Sequence, residues 1–407
     1  MALLMDFSVL KRNRNYRLLY IGQFVSLWGT MLTSVALPYQ LYHLTQSTLM
    51  VGLLSLAQLL PLVFTALLGG TLADRYPRRQ LLIYSELGLI VSCCILALNT
   101  IMWQHVWILF LVSPFMSAIT GLHRPSLSGM TQQIVEPKDF IAANSLYMMV
   151  YIIGAIAGPA LGGLIIAGFG LFSLYLCDAA SYIISLIALL LMTHIPHPVI
   201  DHLESTWTSL KKGLKFAGSR QELLGTYLVD FVAMIFGMPN ALFPAIAQSL
   251  GGVKVLGLLY AAPAVGTLVI SLFNGWCQRV KRHGVAIAVA ASMWGLAIIA
   301  FGLAKNLWLA LFFLAIAGAL DTVSGIFRMT LWNNSIPNEY RGRLAGIEMI
   351  GYLSGPRLGD AEAGLVASVF GLTACIVSGG VLCIIGVAVC CYFMPKFWQY
   401  QSKDQPS

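Results

Sequence analysis

The chain has 407 residues, of which 58% are hydrophobic and only 10% charged, and its mean hydropathy is +0.81. A soluble domain carries about 45–50% apolar and about 25% charged residues, so a soluble enzyme is excluded and an integral membrane protein is indicated. The formal net charge of +8 does not point to nucleic acid, because the basic residues sit in short segments between apolar runs.

A helix needs about 20 mostly apolar residues to cross a bilayer. In chain order the sequence predicts twelve: 17–42, 49–73, 80–101, 104–132, 140–168, 171–193, 222–248, 254–277, 284–304, 306–333, 343–369 and 371–394. The longest polar stretch, Thr193–Glu222, divides them six and six. The expected organisation is an all-α membrane protein with an N-terminal six-helix bundle over 1–193, a cytoplasmic linker over 194–221, and a C-terminal six-helix bundle with a short tail over 222–407. Within the linker, "WTSLKKGLKFAG" reads as a basic amphipathic helix for the inner leaflet.

Lysine and arginine give the orientation. All but Lys254, Lys305 and the intramembrane Arg124, Arg328 and Arg357 fall in segments on one side: the N-terminus, the even-numbered connections, the linker and the tail. By the positive-inside rule both termini and the linker are expected in the cytoplasm. The eight cysteines lie in apolar runs without a C-x-x-C pair, and read as small apolar fillers. "HIPHPVIDH" gathers His194, His197, Asp201 and His202, but Pro196 and Pro198 prevent helical presentation of the pair, so no metal site is expected. No G-x-x-x-x-G-K-[ST] loop occurs, which leaves ion or substrate gradients as the energy source; no cofactor is expected.

The halves repeat. "GLLSLAQLLPLVFTALLGGTLADRYPRR" from Gly52 aligns without a gap on "GLLYAAPAVGTLVISLFNGWCQRVKRHG" from Gly257, and "GLHRPSL" from Gly121 aligns on "GIFRMTL" from Gly325. Arg124 and Arg328 are therefore equivalent. A shift of six spans preserves orientation, as in carriers built from parallel repeats, which place their substrate site between the halves and expose it alternately to each side.

"GGTLADRYPRR" resembles the loop motif of the major facilitator superfamily, G-x-L-a-D-r-x-G-r-[RK]. Gly70, Leu72, Asp74, Arg75, Arg78 and Arg79 match; Pro77 replaces the usual glycine, and Arg279 stands where a second acid would be. "GAIAGPALGG" resembles the fifth-span antiporter motif through Gly154, Gly158, Pro159, Gly162 and Gly163. With "HRPSLSGMTQQIVEPKDFIAANSL", the chain is similar to the subgroup that contains the enterobactin exporter and the macrolide efflux proteins. The resemblance implies a secondary transporter of the bacterial inner membrane, a likeness that covers nearly the whole chain. It also implies that Asp74 latches the halves in the outward-open state, helped by Arg75, Arg78 and Arg79; the alternative is that all these charges serve topology alone. Gly69 and Gly70 are expected to let spans two and eleven approach, and the fifth-span glycines to face span eight.

Intramembrane charge is costly and by default functional. The N-terminal half has Glu86, Arg124 and Asp178; the C-terminal half has Asp230, Asp321, Arg328, Glu348, Arg357, Asp360 and Glu362. Asp321 and Arg328 are seven apart, on one helix face; Arg357 and Asp360 are three apart and within pairing reach. Asp230 and Asp321 either carry a coupling proton or are neutralised by Arg328 or Arg357. Arg124 and Arg328 either steer an anionic substrate or snorkel to the inner interface. Asp178 reads as a packing or outer-end residue, and Gln23, Gln58, Asn144 and Tyr147 as polar groups for a cavity. The expected function is export of a small amphipathic molecule, siderophore or drug-like, by proton antiport as a monomer in contact with membrane lipid. Uptake by the same fold, a membrane transferase and a non-transporting sensor are the alternatives.

Overall fold

The computed structural model describes residues 8–193 and 206–401. The side chains of 70, 71, 74, 206–210, 213, 338, 339, 341–343, 345–347 and 349 are outside the described set, as is the whole "HIPHPVIDH" stretch. The secondary structure of the described residues is helical.

The long helices are α1 (Arg14–Thr45), α2 (Thr48–Arg75), α3 (Arg78–Leu98, prolonged by a π turn at Asn99–Trp103) and α4 (Val106–Ile134). Phe140–Leu190 is broken at Gly170, which has φ 79° and ψ 173°, into α5 over 140–169 and α6 over 171–190. The linker helix α7 spans Thr206–Ser219. There follow α8 (Gln221–Gly237), α9 (Phe243–Leu250), α10 (Val253–Leu272), α11 (His283–Gly302), α12 (Leu307–Ser335), α13 (Asn338–Phe370) and α14 (Leu372–Phe393). Ten helical segments among the described residues are long and apolar enough to cross a membrane, with α5 and α6 taken as one and α8 with α9 as one. Splitting the first at Gly170 and adding α13, which carries Glu348, Arg357, Asp360 and Glu362, gives the twelve expected spans.

Two departures from the expected spans have local causes. The seventh is not one helix: α8 ends at Gly237, and Asn240–Leu242 forms a 3₁₀ turn before Pro244 starts α9. The eighth stops at Leu272, because "FNGWCQR" turns into a 3₁₀ segment at Asn274–Arg279.

The connections are short because single residues end the helices. Asn13 caps α1 by accepting the Tyr16 amide at 3.0 Å, and Asn306 caps α12 by accepting that of Leu309 at 2.9 Å. Gln46 and Gln104 close their helices in the left-handed region, with φ 51° and 53°. Gly170 and Gly371, φ 79° and 87°, each sit between phenylalanine and leucine and join α5 to α6 and α13 to α14. The two "FGL" turns are a further sign of the internal repeat.

The chain divides into two compact units, residues 1–46 with 57–203 and residues 47–56 with 204–407. Helix α2 therefore begins in the second unit and continues into the first. In the first unit α1 runs along α5 and α6, and α3 packs on α4 and α6. Gly69 of α2 meets the Gly121 carbonyl of α4, where an added Cβ would stand 2.9 Å away. Within the second unit, α2 and α13 approach closely at the other end of α2, where a Cβ on Gly52 would lie 2.7 Å from the Asp360 carbonyl and 3.2 Å from the Cα of Gly364.

The nearest atoms to the antiporter-type glycines Gly154, Gly158 and Gly162 belong to Trp28, Met31 and Leu32 of α1, so this stripe seats α5 on α1 within its own unit. Pro159 and Gly163 are buried beside it.

In the second unit, α12 packs on α10 and α11, and α14 on α8 and α11. Gly266 and Gly318 allow α10 and α12 the close approach that Gly69 and Gly121 allow α2 and α4. The linker helix α7 leaves Lys211, Lys212 and Lys215 exposed and buries Ala217, while Phe216 stacks on Tyr340 with ring centroids 4.3 Å apart. The tail is docked: Phe397 is fully buried, against Gly225 and Gly284.

Candidate functional site

The loop motif has a definite job in the first unit. Arg78 donates through Nε to the Ala73 carbonyl at 3.1 Å and through Nη1 to the Gly129 carbonyl at 2.7 Å. Arg79 donates through Nε and Nη2 to the carbonyls of Leu189 and Leu190, both at 2.9 Å. The two guanidinium groups thus satisfy carbonyls of α2, α4 and α6, those of α6 lying in its last turn, where the helix lacks internal donors and carries partial negative charge. Arg75 is exposed. The side chain of Asp74, and Gly70, lie outside the described side chains.

Two buried carboxylates, one in each unit, are held by donors. Asp178 is surrounded by donors: Thr33 Oγ1, Cys93 Sγ at 3.4 Å and Ser181 Oγ at 3.3 Å. Gly29 leaves room for it, since a Cβ there would overlap its carboxylate. Asp360, 9% exposed, accepts the Ser55 hydroxyl and the Ala241 amide, each at 2.9 Å. It thereby pins the break in span seven, and Arg357, one turn earlier on α13, acts on it electrostatically. Both carboxylates read as structural links between helices.

In the second unit Arg328 is the hub. Its Nη1 contacts Asp230 of α8, and its Nη2 lies 3.6 Å from Asp321 on its own helix. The Arg328 side chain is only 11% exposed, so it does not snorkel to an interface. Asp321 is 46% exposed, whereas Asp230 is 19% exposed. The seven-residue spacing of Asp321 and Arg328 was a true guide to their shared face; only the packing of α8 on α12 supplies Asp230.

The first unit holds a cavity of about 130 Å³. Tyr20, Phe24, Tyr147, Tyr151 and Tyr182 give it an aromatic wall, and Arg124 and His123 are its basic groups. Gln23, Ser26, Thr30 and Thr120 add hydrogen-bonding positions. Of the polar residues expected in a cavity, Gln23 and Tyr147 line this one; Asn144 is exposed elsewhere, and Gln58 is buried away from it. Behind Gln23 and His123 lies Glu86 of α3, with no exposed side-chain surface. Its Oε1 accepts Ser185 Oγ at 2.6 Å and Gln23 Nε2 at 3.4 Å, and stands 3.5 Å from His123 Nε2. Sequence reasoning assigned Glu86 no role and passed over His123. The signal available was a lone acid in a long apolar span and a histidine beside Arg124.

Twelve spans in two six-span sets, helix-capping arginines at the motif loop and a polar-aromatic cavity between helices together define a multi-pass secondary transporter of the major facilitator fold, with a small-molecule substrate. The chain belongs to the transmembrane secretion effector family, which matches residues 7–406. It is 28% identical over 388 residues to the enterobactin exporter EntS of Citrobacter koseri, covering 94% of this chain and 93% of that protein. It is 29% identical over 388 residues to EntS of Shigella flexneri, with the same coverage. Among solved structures, the nucleoside transporter NupG superposes with a TM-score of 0.77 at 14% identity, over 94% of this chain and 99% of that one. A bacterial homologue of the iron transporter ferroportin in an inward-facing state gives 0.69 at 16% identity, over 94% and 98%. These last two likenesses concern the fold alone.

Proposed function

We propose that the protein exports a small amphipathic molecule with aromatic and anionic character, a siderophore of the enterobactin kind, from the cytoplasm by proton antiport. The observation that carries this reading is the first-unit cavity, where a five-membered aromatic wall faces Arg124. Aromatic faces and a guanidinium suit a planar phenolic acid, through stacking and charge-assisted hydrogen bonds. The family and the relatives named above support outward transport.

In this reading the carrier works as a monomer in the bacterial inner membrane with both termini cytoplasmic. It exposes its binding site alternately to the two sides, and Asp74 and Gly70 form part of a conformational latch. Arg328 balances Asp230, and Asp321 offers a carboxylate to substrate or solvent in the second unit. The test is transport into inside-out vesicles containing the purified protein, with enterobactin as probe. Enterobactin should accumulate when the vesicle interior is acid, and Arg124→Gln should lower the rate about tenfold. An unchanged rate in Arg124→Gln, or accumulation only in right-side-out vesicles, would overturn the proposal.

A further inference from the structure

Glu86 and His123 are the feature that the reading so far leaves unused. Glu86 is completely buried where α1, α3, α4 and α6 converge. Its Oε1 has three neighbours, but its Oε2 is buried with no hydrogen-bond partner. His123, with 13% of its side chain exposed, lines the cavity, and its Nε2 is likewise buried without a hydrogen-bond partner, although it lies 3.5 Å from the carboxylate. Two unsatisfied buried polar atoms on neighbouring side chains beside a cavity are expensive to keep. Asp178, two turns before Ser185 on α6, shows what this unit does when a carboxylate is purely structural: it surrounds the group with donors.

The surrounding groups sharpen the contrast. From α1 come Tyr20 and the neutral Gln23, from α4 Arg124 next to His123, and from α5 Tyr147 and Tyr151. From α6 come Tyr182 and Asp178, both of which interact electrostatically with Glu86. Cys93 of α3 lies beside Asp178. Of these, His123 alone is a cation-forming group in contact with the carboxylate.

We propose that Glu86 and His123 form the proton-binding site of the carrier, and that a hydroxyl of the substrate competes with the proton for His123 Nε2. The argument rests on the exporter reading above. An imidazole with its hydrogen on Nδ1 has one lone pair, on Nε2. A phenolic or alcoholic O–H in the cavity donates to that lone pair. A proton from the opposite side takes the same lone pair, forming the N–H bond of an imidazolium held against the Glu86 carboxylate, and that bond breaks when the proton is released on the side from which the substrate came. No electrons are exchanged. Proton and substrate cannot both hold the lone pair, and that exclusion is what antiport requires. Substrates should therefore carry a hydroxyl donor as well as an aromatic face.

The test has one arm that needs no substrate. Dicyclohexylcarbodiimide reacts with protonated carboxyls in apolar surroundings. The purified protein is treated with it across pH 5–9, and the labelled residue is located by peptide mass spectrometry. Glu86 should be labelled in a pH-dependent way, and His123→Gln should extend its labelling to higher pH by about one unit, because the neighbouring imidazolium is gone. No labelling at Glu86, or the same pH profile in His123→Gln, would overturn the proposal. The second arm records substrate-induced proton movement in proteoliposomes with enterobactin. The wild type should move protons, and Glu86→Gln should lose at least nine-tenths of that signal while retaining enterobactin counterflow. Proton movement that survives Glu86→Gln refutes the site. A wild type that transports enterobactin without moving protons refutes antiport instead, with the labelling arm reporting separately on the carboxyl–imidazole pair.

Discussion

Replacing Arg79 by lysine separates two jobs that the motif loop combines. If the arginine serves only to keep its segment cytoplasmic, lysine is equivalent, since the positive-inside rule reads charge. In the structure, however, Arg79 spans two adjacent carbonyls, Leu189 and Leu190, each at 2.9 Å. A planar fork reaches both; an ammonium on a flexible stem retains one at best. Hydrogen bonds to charged groups contribute about 1.5–3 kcal/mol when sheltered, and the partial exposure of Arg79 puts each near the lower figure. Arg79→Lys should therefore cost about 1–1.5 kcal/mol, and Arg79→Ala about 2–3 kcal/mol. For a unit of this size 1 kcal/mol corresponds to about 2–4 °C in Tm. The expected shifts are thus about 2–6 °C for lysine and about 4–12 °C for alanine. They would be read by tryptophan fluorescence on heating in one detergent, alongside cysteine-accessibility mapping of topology. A lysine variant as stable as the wild type, with alanine affecting topology only, would refute the capping argument.

Four further outcomes concern other positions. Gly121→Val should abolish stable expression, because a Cβ there meets the Leu62 carbonyl at 2.7 Å and the Ala66 amide nitrogen at 2.8 Å, backbone atoms that cannot step aside; the cost is about 3 kcal/mol or more. Gly168→Ala, where nothing lies within 4 Å, should leave the thermal unfolding temperature unchanged or slightly raised. Asp360→Ala strands the Ser55 hydroxyl and the Ala241 amide and should cost about 2–3 kcal/mol; a double-mutant cycle with Ser55→Ala should return a coupling of about 1 kcal/mol, and zero coupling would remove the link. Asp74→Asn should lower transport severalfold with membrane insertion intact, and full transport in that variant would count against the latch.

How far the sequence reaches can be followed residue by residue. The twelve apolar segments, the Lys and Arg distribution, the Gly52–Gly257 repeat and the motif at Gly70–Arg79 are all one-dimensional, because a bilayer imposes length and charge rules on each span separately. Asp321 and Arg328 were legible as neighbours for the same reason: helical periodicity places residues seven apart on one face. Glycine spacing likewise announced close packing at Gly154, Gly158 and Gly162, but not that α1 is the neighbour within the unit. A stripe of small residues specifies that a helix comes close and leaves open which helix that is.

What the tertiary structure decided was partnership. Glu86 finds His123, Gln23 and Ser185 across separations of 37, 63 and 99 residues, Arg328 finds Asp230, and Asp360 finds Ser55 across 305. The rotation of each helix about its own axis is set by the side chains of its neighbours, and no rule written along a single span contains it. The sequence by itself determined that this chain crosses a membrane twelve times as a duplicated carrier. Packing alone determined which carboxylates became fully bonded struts and which one was left beside a histidine with an oxygen to spare.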